Sequence, residues 1–80
     1  MVSHRDILLM GECLRKNPNK YLTLRQLRDL LVDNSNSFHD RTIRHYMEVL
    51  VQYGYIRSVA LDGVPMWEIM QRKEDEGNRV

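Results

Sequence analysis

Arg41 and Arg44, with His45 beside them, are the residues whose type and spacing best suit recognition chemistry. Residues three apart share one face of a helix, so the two guanidinium groups would lie together. An Arg side chain there can donate two hydrogen bonds to O6 and N7 of guanine in the major groove of DNA. The alternative is two solvated arginines on a charged helix face, paired with Asp40 and Glu48 respectively.

Residue types that hold metals or catalyse reactions form no recognisable pattern. The single Cys13 has no partner for a disulfide or a Cys-x-x-Cys zinc site. The sequence also shows no nucleophile–base set and no Gly-rich phosphate loop. It therefore predicts no enzyme, cofactor or small-molecule effector. A metal site is not expected because the four His and Cys residues follow one another at intervals of 9, 26 and 6, which match no compact ligand motif: His4, Cys13, His39 and His45.

Length and composition predict one small domain. The chain has 80 residues, of which 42% are hydrophobic and 29% charged, which is enough for one core. No apolar run approaches the ~18 residues of a membrane span, and the start does not resemble a secretory signal. We therefore expect a cytoplasmic protein, with a domain over residues 1–70 and a flexible charged tail over residues 71–80.

Two capping boxes predict where the first two helices begin. Ser3 precedes Asp6 by three residues, and Thr23 precedes Gln26 by three, so side chain and backbone can bond reciprocally in each box. Gly11, on the first apolar face, would let another helix approach. The polar run 33–37 is expected to be a turn after the second helix. The apolar faces are Ile7, Met10, Gly11 and Leu14 in the first helix, and Leu24, Leu27, Leu30 and Leu31 in the second.

A third helix is predicted over residues 39–53, its N-cap being either Ser37 or His39/Asp40. Gly54 stands where a left-handed residue would end the helix. On a helical wheel, Ile43, Tyr46, Met47, Leu50 and Val51 point inward, and Arg41, Arg44, His45, Glu48 and Gln52 point outward.

A β-hairpin is predicted after this helix, because Asp62-Gly63 between apolar residues is typical of a two-residue type I′ turn. The resulting register places Ile56 opposite Ile69, Ser58 opposite Trp67, and Arg57 opposite Glu68. Arg57 is therefore expected to pair with Glu68 across the strands. Earlier in the chain, Tyr21-Leu22 is long enough only for a β-bridge.

This order of elements resembles a winged helix-turn-helix, an α+β fold with three helices and a β-hairpin wing. The stretch from Thr42 to Ile56 resembles the recognition-helix signature of bacterial winged-helix repressors of the GntR, ferric-uptake and arginine-repressor types. Phe38 matches the apolar residue that precedes this helix in GntR-type proteins. The signature residues are Thr42, Ile43, Arg44, Met47, Leu50 and the triplet Gly54-Tyr55-Ile56.

The resemblance implies that helix 39–53 enters the major groove. It further implies base reading by Arg41, Arg44 and His45, and phosphate binding by Thr42, Thr23, Arg25 and Arg28. Two features differ from the pattern. The turn between Leu31 and Phe38 is longer than in a tight helix-turn-helix. The wing tip carries Asp62, where DNA-reading wings usually offer Arg or Lys, so we expect the helix to do most of the reading.

The expected function is sequence-specific binding of double-stranded DNA by a small transcriptional regulator. A net charge of +1 implies moderate affinity for a single copy, so binding is expected to need either a homodimer on a two-fold operator, formed through the first helix or the tail, or help from a neighbouring protein. Such a short regulator is typical of a phage, a plasmid, an archaeal virus or a compact operon. The alternative is a winged-helix adaptor for proteins, with little or no DNA binding, which the low net charge and acidic wing tip favour.

Overall fold

The computed structural model describes residues 2–70, which form three helices and one antiparallel sheet. The α+β class and the order of elements are as predicted. The predicted tail, residues 71–80, lies outside the described residues. No helix within the described part is long and apolar enough to cross a membrane. The elements are α1 (His4–Arg15), β1 (Tyr21–Leu22), α2 (Leu24–Ser35), α3 (Asp40–Gln52), β2 (Ile56–Leu61) and β3 (Val64–Ile69).

Both predicted capping boxes are present. The Asp6 N–H donates to Ser3 Oγ at 3.1 Å, and the Ser3 N–H donates to the Asp6 carboxylate at 3.4 Å. In α2 the Gln26 N–H donates to Thr23 Oγ1 at 3.1 Å, and the Thr23 N–H donates to Gln26 Oε1 at 2.9 Å. Each box satisfies two backbone donors that the first helical turn would otherwise leave unpaired.

Helix α2 is longer than the sequence pattern predicts. It continues through most of the polar run 33–37 and ends at Asn36, whose φ of 57° is left-handed. Within the run, the Asn34 side chain donates to the carbonyl of Leu30 at 2.8 Å and accepts from Cys13 Sγ at 3.3 Å. Asn34 thus bonds its own helix and α1, and the polar run does not unwind α2.

The connection between α2 and α3 is therefore short. It covers residues 36–39, which is four residues, the usual length of a helix-turn-helix turn. The expectation of a longer turn between Leu31 and Phe38 is wrong, because part of the supposed turn is helical.

The hairpin has the predicted register. Ile56 pairs with Ile69 and Arg57 with Glu68, and the turn residues Asp62 and Gly63 have φ of 52° and 80°. Positive φ at both positions is what a type I′ turn requires. Strand β1 pairs with β3, so the strand order is β1-β3-β2 and β3 is central.

The core is one cluster that receives side chains from every helix and strand. Two residues predicted to face it are largely exposed, Leu24 at 51% and Val51 at 44%. Leu24 is the first residue of α2 and is exposed, whereas Leu22 of β1, two residues earlier, is buried in the core. Val51 lies at the edge of the apolar stripe of α3. The buried apolar residues are Ile7, Met10, Leu14, Leu22, Leu27, Leu31, Ile43, Tyr46, Leu50, Tyr55, Ile56 and Ile69.

Gly11 makes room for an aromatic ring rather than for a neighbouring helix. A Cβ at this position would lie 2.3 Å from Cε1 of Tyr55. The Arg15 guanidinium lies 4.2 Å from the centroid of the same ring, a cation–π contact. The ring of Tyr55 therefore joins the start of the β2–β3 hairpin to α1, which corrects the expectation of a helix–helix approach at Gly11.

Candidate nucleic-acid interface

Helix α3 has one buried and one exposed face, as its sequence pattern predicts. Ile43, Tyr46 and Leu50 are buried in the core. Burial raises the pKa of the Tyr46 hydroxyl, and the negative charge of Asp6 adds to this effect. The opposite face is exposed and carries the polar residues Arg41, Arg44, His45, Glu48 and Gln52.

Both ends of α3 are defined by backbone geometry. His39 is the N-cap, without a side-chain capping bond, and Asp40 is the first helical residue. At the other end Gly54 has a φ of 79°. The Tyr55 N–H donates to the Leu50 carbonyl at 2.9 Å, and the Gly54 N–H donates to the Val51 carbonyl at 3.0 Å. These two bonds form a Schellman motif, which ends the helix just before the β2–β3 hairpin.

Asp40 joins α3 to α2 through two arginines. Its Oδ1 accepts from Nη1 of Arg28 on α2 at 2.5 Å, and its Oδ2 accepts from Nη2 of Arg44 one turn along α3. The hydrogen bond from Arg28, followed by the positive charge of Arg44, lowers the pKa of Asp40. Asp40 is thus ionised at neutral pH and holds both guanidinium groups.

The exposed face of α3 carries ion pairs between residues one turn apart, as the alternative interpretation of a charged helix face expects, but the partners differ. Arg44 pairs with Asp40 and not with Glu48. Glu48 instead lies 3.8 Å from Nδ1 of His45. Arg41, which the alternative interpretation paired with Asp40, is exposed and makes no ion pair within residues 2–70.

The residues predicted to contact phosphate are not equivalent. Thr42 is half-buried in the first turn of α3, and its hydroxyl makes no hydrogen bond within the described chain. The Thr23 hydroxyl accepts the capping bond of α2, which leaves its hydrogen available to another acceptor. Arg25 is exposed and has no ion-pair partner among residues 2–70. Arg28, in contrast, turns towards Asp40.

The β2–β3 hairpin carries a nearly buried carboxylate at its base and no positive charge at its tip. Glu68 is 7% exposed and contacts Nε of Arg57 at 2.6 Å and Nζ of Lys20 at 3.3 Å. The hydrogen bond from Arg57 is the main reason why the pKa of Glu68 is lowered. The predicted pairing of Arg57 with Glu68 is confirmed. Lys20 was not predicted to join it, although the position of Lys20 next to the β1 bridge was a signal.

A groove of about 580 Å³ lies between α3 and the central strand β3. Met47, Val49, Val51 and Trp67 form its apolar part, and Arg44 and Glu48 are among its polar residues. The sequence pattern assigned Met47 and Val51 to the core and did not predict this groove. Met47 is half-buried and packs against the core, whereas Val51 is exposed. Phe38, in the turn before α3, is 85% exposed.

No group of three or more His, Cys, Asp or Glu side chains within residues 2–70 could hold a metal ion. No protein-family model and no curated protein matches the sequence, and no solved structure matches the fold. The chemistry of the α3 face consists of exposed guanidinium and imidazole groups beside the carboxylates of Asp40 and Glu48.

Proposed function

We propose that this chain is a winged-helix protein that binds double-stranded DNA in a sequence-specific manner and acts as a small transcriptional regulator. The observation that carries the proposal is the exposed face of α3, where Arg41, Arg44 and His45 point away from the core. The major groove is about 12 Å wide and admits an α-helix, so these side chains would reach base edges.

The short connection between α2 and α3 supports this arrangement. In helix-turn-helix proteins the N-terminal residues of the second helix contact bases, while the preceding helix crosses the DNA backbone. Arg41 and Arg44 lie in the N-terminal half of α3. Thr23 and Arg25 open α2, where backbone N–H groups and a guanidinium suit phosphate. We therefore assign base reading to α3 and phosphate binding to the start of α2 and to Thr42.

The wing contributes little to DNA contact in this proposal. Residues 58–67 include no Lys or Arg, and the tip carries Asp62 between exposed Leu61 and Val64. A carboxylate near phosphate would be repelled. Few positive groups then face the DNA in one copy, which favours a homodimer on a two-fold operator, since two copies double the phosphate contacts.

The test is the double substitution Arg41→Ala/Arg44→Ala. Each bidentate contact between Arg and guanine is worth roughly 1–3 kcal/mol of discrimination. The double variant should therefore bind the selected duplex, which is the one that the wild type recovers from a random library, about 100-fold more weakly. The matched control is Arg5→Ala/Lys16→Ala, in α1 and at its C-cap, which removes the same charge from two exposed positions outside α2 and α3. A folded double variant that binds the selected duplex as the wild type does would refute the assignment.

A protein–protein adaptor is the second candidate, and the groove beside α3 is the observation that favours it. Met47, Val51 and Trp67 give this groove an apolar lining, which suits a protein partner more than a phosphate backbone. Salt titration separates the candidates. A DNA binder loses affinity for random duplex steeply as salt rises, whereas an adaptor shows flat or absent binding down to about 50 mM salt.

A further inference from the structure

We propose that Asp40 is a specificity-determining residue of the α3 face, which restrains Arg28 and Arg44 from binding phosphate non-specifically. This inference rests on the proposed function. It concerns a residue for which the sequence suggested only helix capping or a local ion pair.

The geometry of the bridge is the first argument. Each oxygen of Asp40 accepts from a different arginine, one on α2 and one on α3. A guanidinium has five N–H donors, so both arginines keep donors for other acceptors. The Arg44 side chain remains 70% exposed and can reach outward, whereas that of Arg28 is 38% exposed. Asp40 therefore restricts the positions of both guanidinium groups, and it leaves each of them N–H donors for other acceptors.

The charge of the bridge is the second argument. Random DNA is bound mainly through its phosphates, whereas guanine O6 and N7 are uncharged acceptors. A phosphate that approaches Arg28 or Arg44 also approaches the Asp40 carboxylate and is repelled by it. A guanine edge carries no net charge, so the repulsion that its O6 and N7 acceptors meet is weaker. The carboxylate thus penalises phosphate contact more than base contact.

The test compares Asp40→Asn with a matched variant, Asp33→Asn. Asp33 is an exposed residue of α2 with no ion pair within the described chain, so both changes remove one negative charge. Affinity is measured across a range of salt concentrations for two duplexes of equal length. One is recovered by selection from a random library, and the other is the unselected random sequence. Melting temperatures of both variants and of the wild type are recorded alongside.

Loss of the carboxylate should increase binding to the random duplex. Affinity varies with salt to the power of about −0.9 per phosphate contact, so each new contact contributes about eightfold at about 0.1 M salt. We expect Asp40→Asn to bind random duplex about eightfold more tightly, with a salt slope steeper by about 1. The ratio of selected to random affinity should fall about tenfold, since Arg44 is no longer held in place. Asp33→Asn should keep the wild-type ratio.

Three results would count against the inference in different ways. If Asp40→Asn keeps the same affinity ratio as Asp33→Asn, Asp40 does not determine specificity, although the proposed function stands. If affinity for both duplexes falls equally, together with the melting temperature, Asp40 has only a structural role. If the wild type binds neither duplex at low salt, the proposed function itself fails. Asp40→Glu retains the carboxylate and should preserve most of the ratio.

Discussion

One methyl group added at Gly11 should destabilise the protein, although alanine normally favours a helix by about 1 kcal/mol over glycine. The new Cβ would lie 2.3–2.5 Å from three ring atoms of Tyr55, whereas non-bonded carbons prefer about 3.5–4.0 Å. The ring must therefore move by about 1 Å, but Tyr55 is only 6% exposed and has little space to do so. Overpacking of this kind costs roughly 1–3 kcal/mol.

Because the overlap is large, we take the upper end of that range and subtract the helical preference. Gly11→Ala should then lower the free energy of unfolding by about 2 kcal/mol, and the melting temperature by about 8–16 °C for a domain of this size. Urea and thermal unfolding followed by circular dichroism measure both quantities.

The decisive control repeats the substitution in a Tyr55→Val background, which lacks the aromatic ring. There Gly11→Ala should stabilise the protein by about 1 kcal/mol, because only the helical preference remains. A Gly11→Ala variant as stable as the wild type would show that the ring of Tyr55 does not occupy this space, and the packing argument would fail.

The remaining predictions concern the end of α3, the base of the β2–β3 hairpin and the core. Gly54→Ala should lower the free energy of unfolding by about 1–2 kcal/mol, because the φ of 79° at this position is left-handed. No atom lies within 4 Å of the new Cβ, so backbone strain is the only cause of this loss. Gly54→Asn should cost less, and equal losses would contradict this cause. The pKa of Glu68 is lowered from its ordinary value of 4.5 in the folded protein. The ionised carboxylate therefore stabilises the fold at pH values above 4.5, and this stability is lost as the pH falls through the folded pKa. Glu68→Gln should therefore lose less melting temperature than the wild type between about pH 5 and about pH 3, and parallel curves would refute the role of this ion pair. Leu27→Ala, at a fully buried position, should cost about 2–5 kcal/mol, whereas Leu24→Ala, at an exposed one, should change stability by less than about 0.5 kcal/mol.

Features that depend on neighbours in the sequence were predictable. The capping boxes at Ser3 and Thr23 need only residues three positions apart, and the stop at Gly54 needs one residue that tolerates positive φ. Asp62-Gly63 fixes the position of the turn, and this position determines every cross-strand pair of the hairpin. The exposed face of α3 follows from helical periodicity in the same way.

Features that depend on contacts between distant elements were not predictable. The polar run after Leu31 suggested a turn, but Asn34 bonds to Cys13 of α1 and to its own helix, so α2 continues. Gly11 suggested a neighbouring helix, but the ring of Tyr55 occupies that space. Met47 and Val51 suited the core; Met47 packs against it, but Val51 is exposed, and both border a groove beside Trp67.

The sequence by itself determined where most elements begin and end, which face of α3 is apolar, and which basic side chains lie on the other face, because these follow from residue spacing and local backbone preference. Only the tertiary structure decided how Arg28 is held. Arg44 meets Asp40 at an i, i+4 spacing within α3, whereas Arg28, on α2, meets the same carboxylate only once α2 packs against α3. A charge pair across two helices depends on their relative placement, which is set by burial of the shared core and not by the spacing of the charged residues.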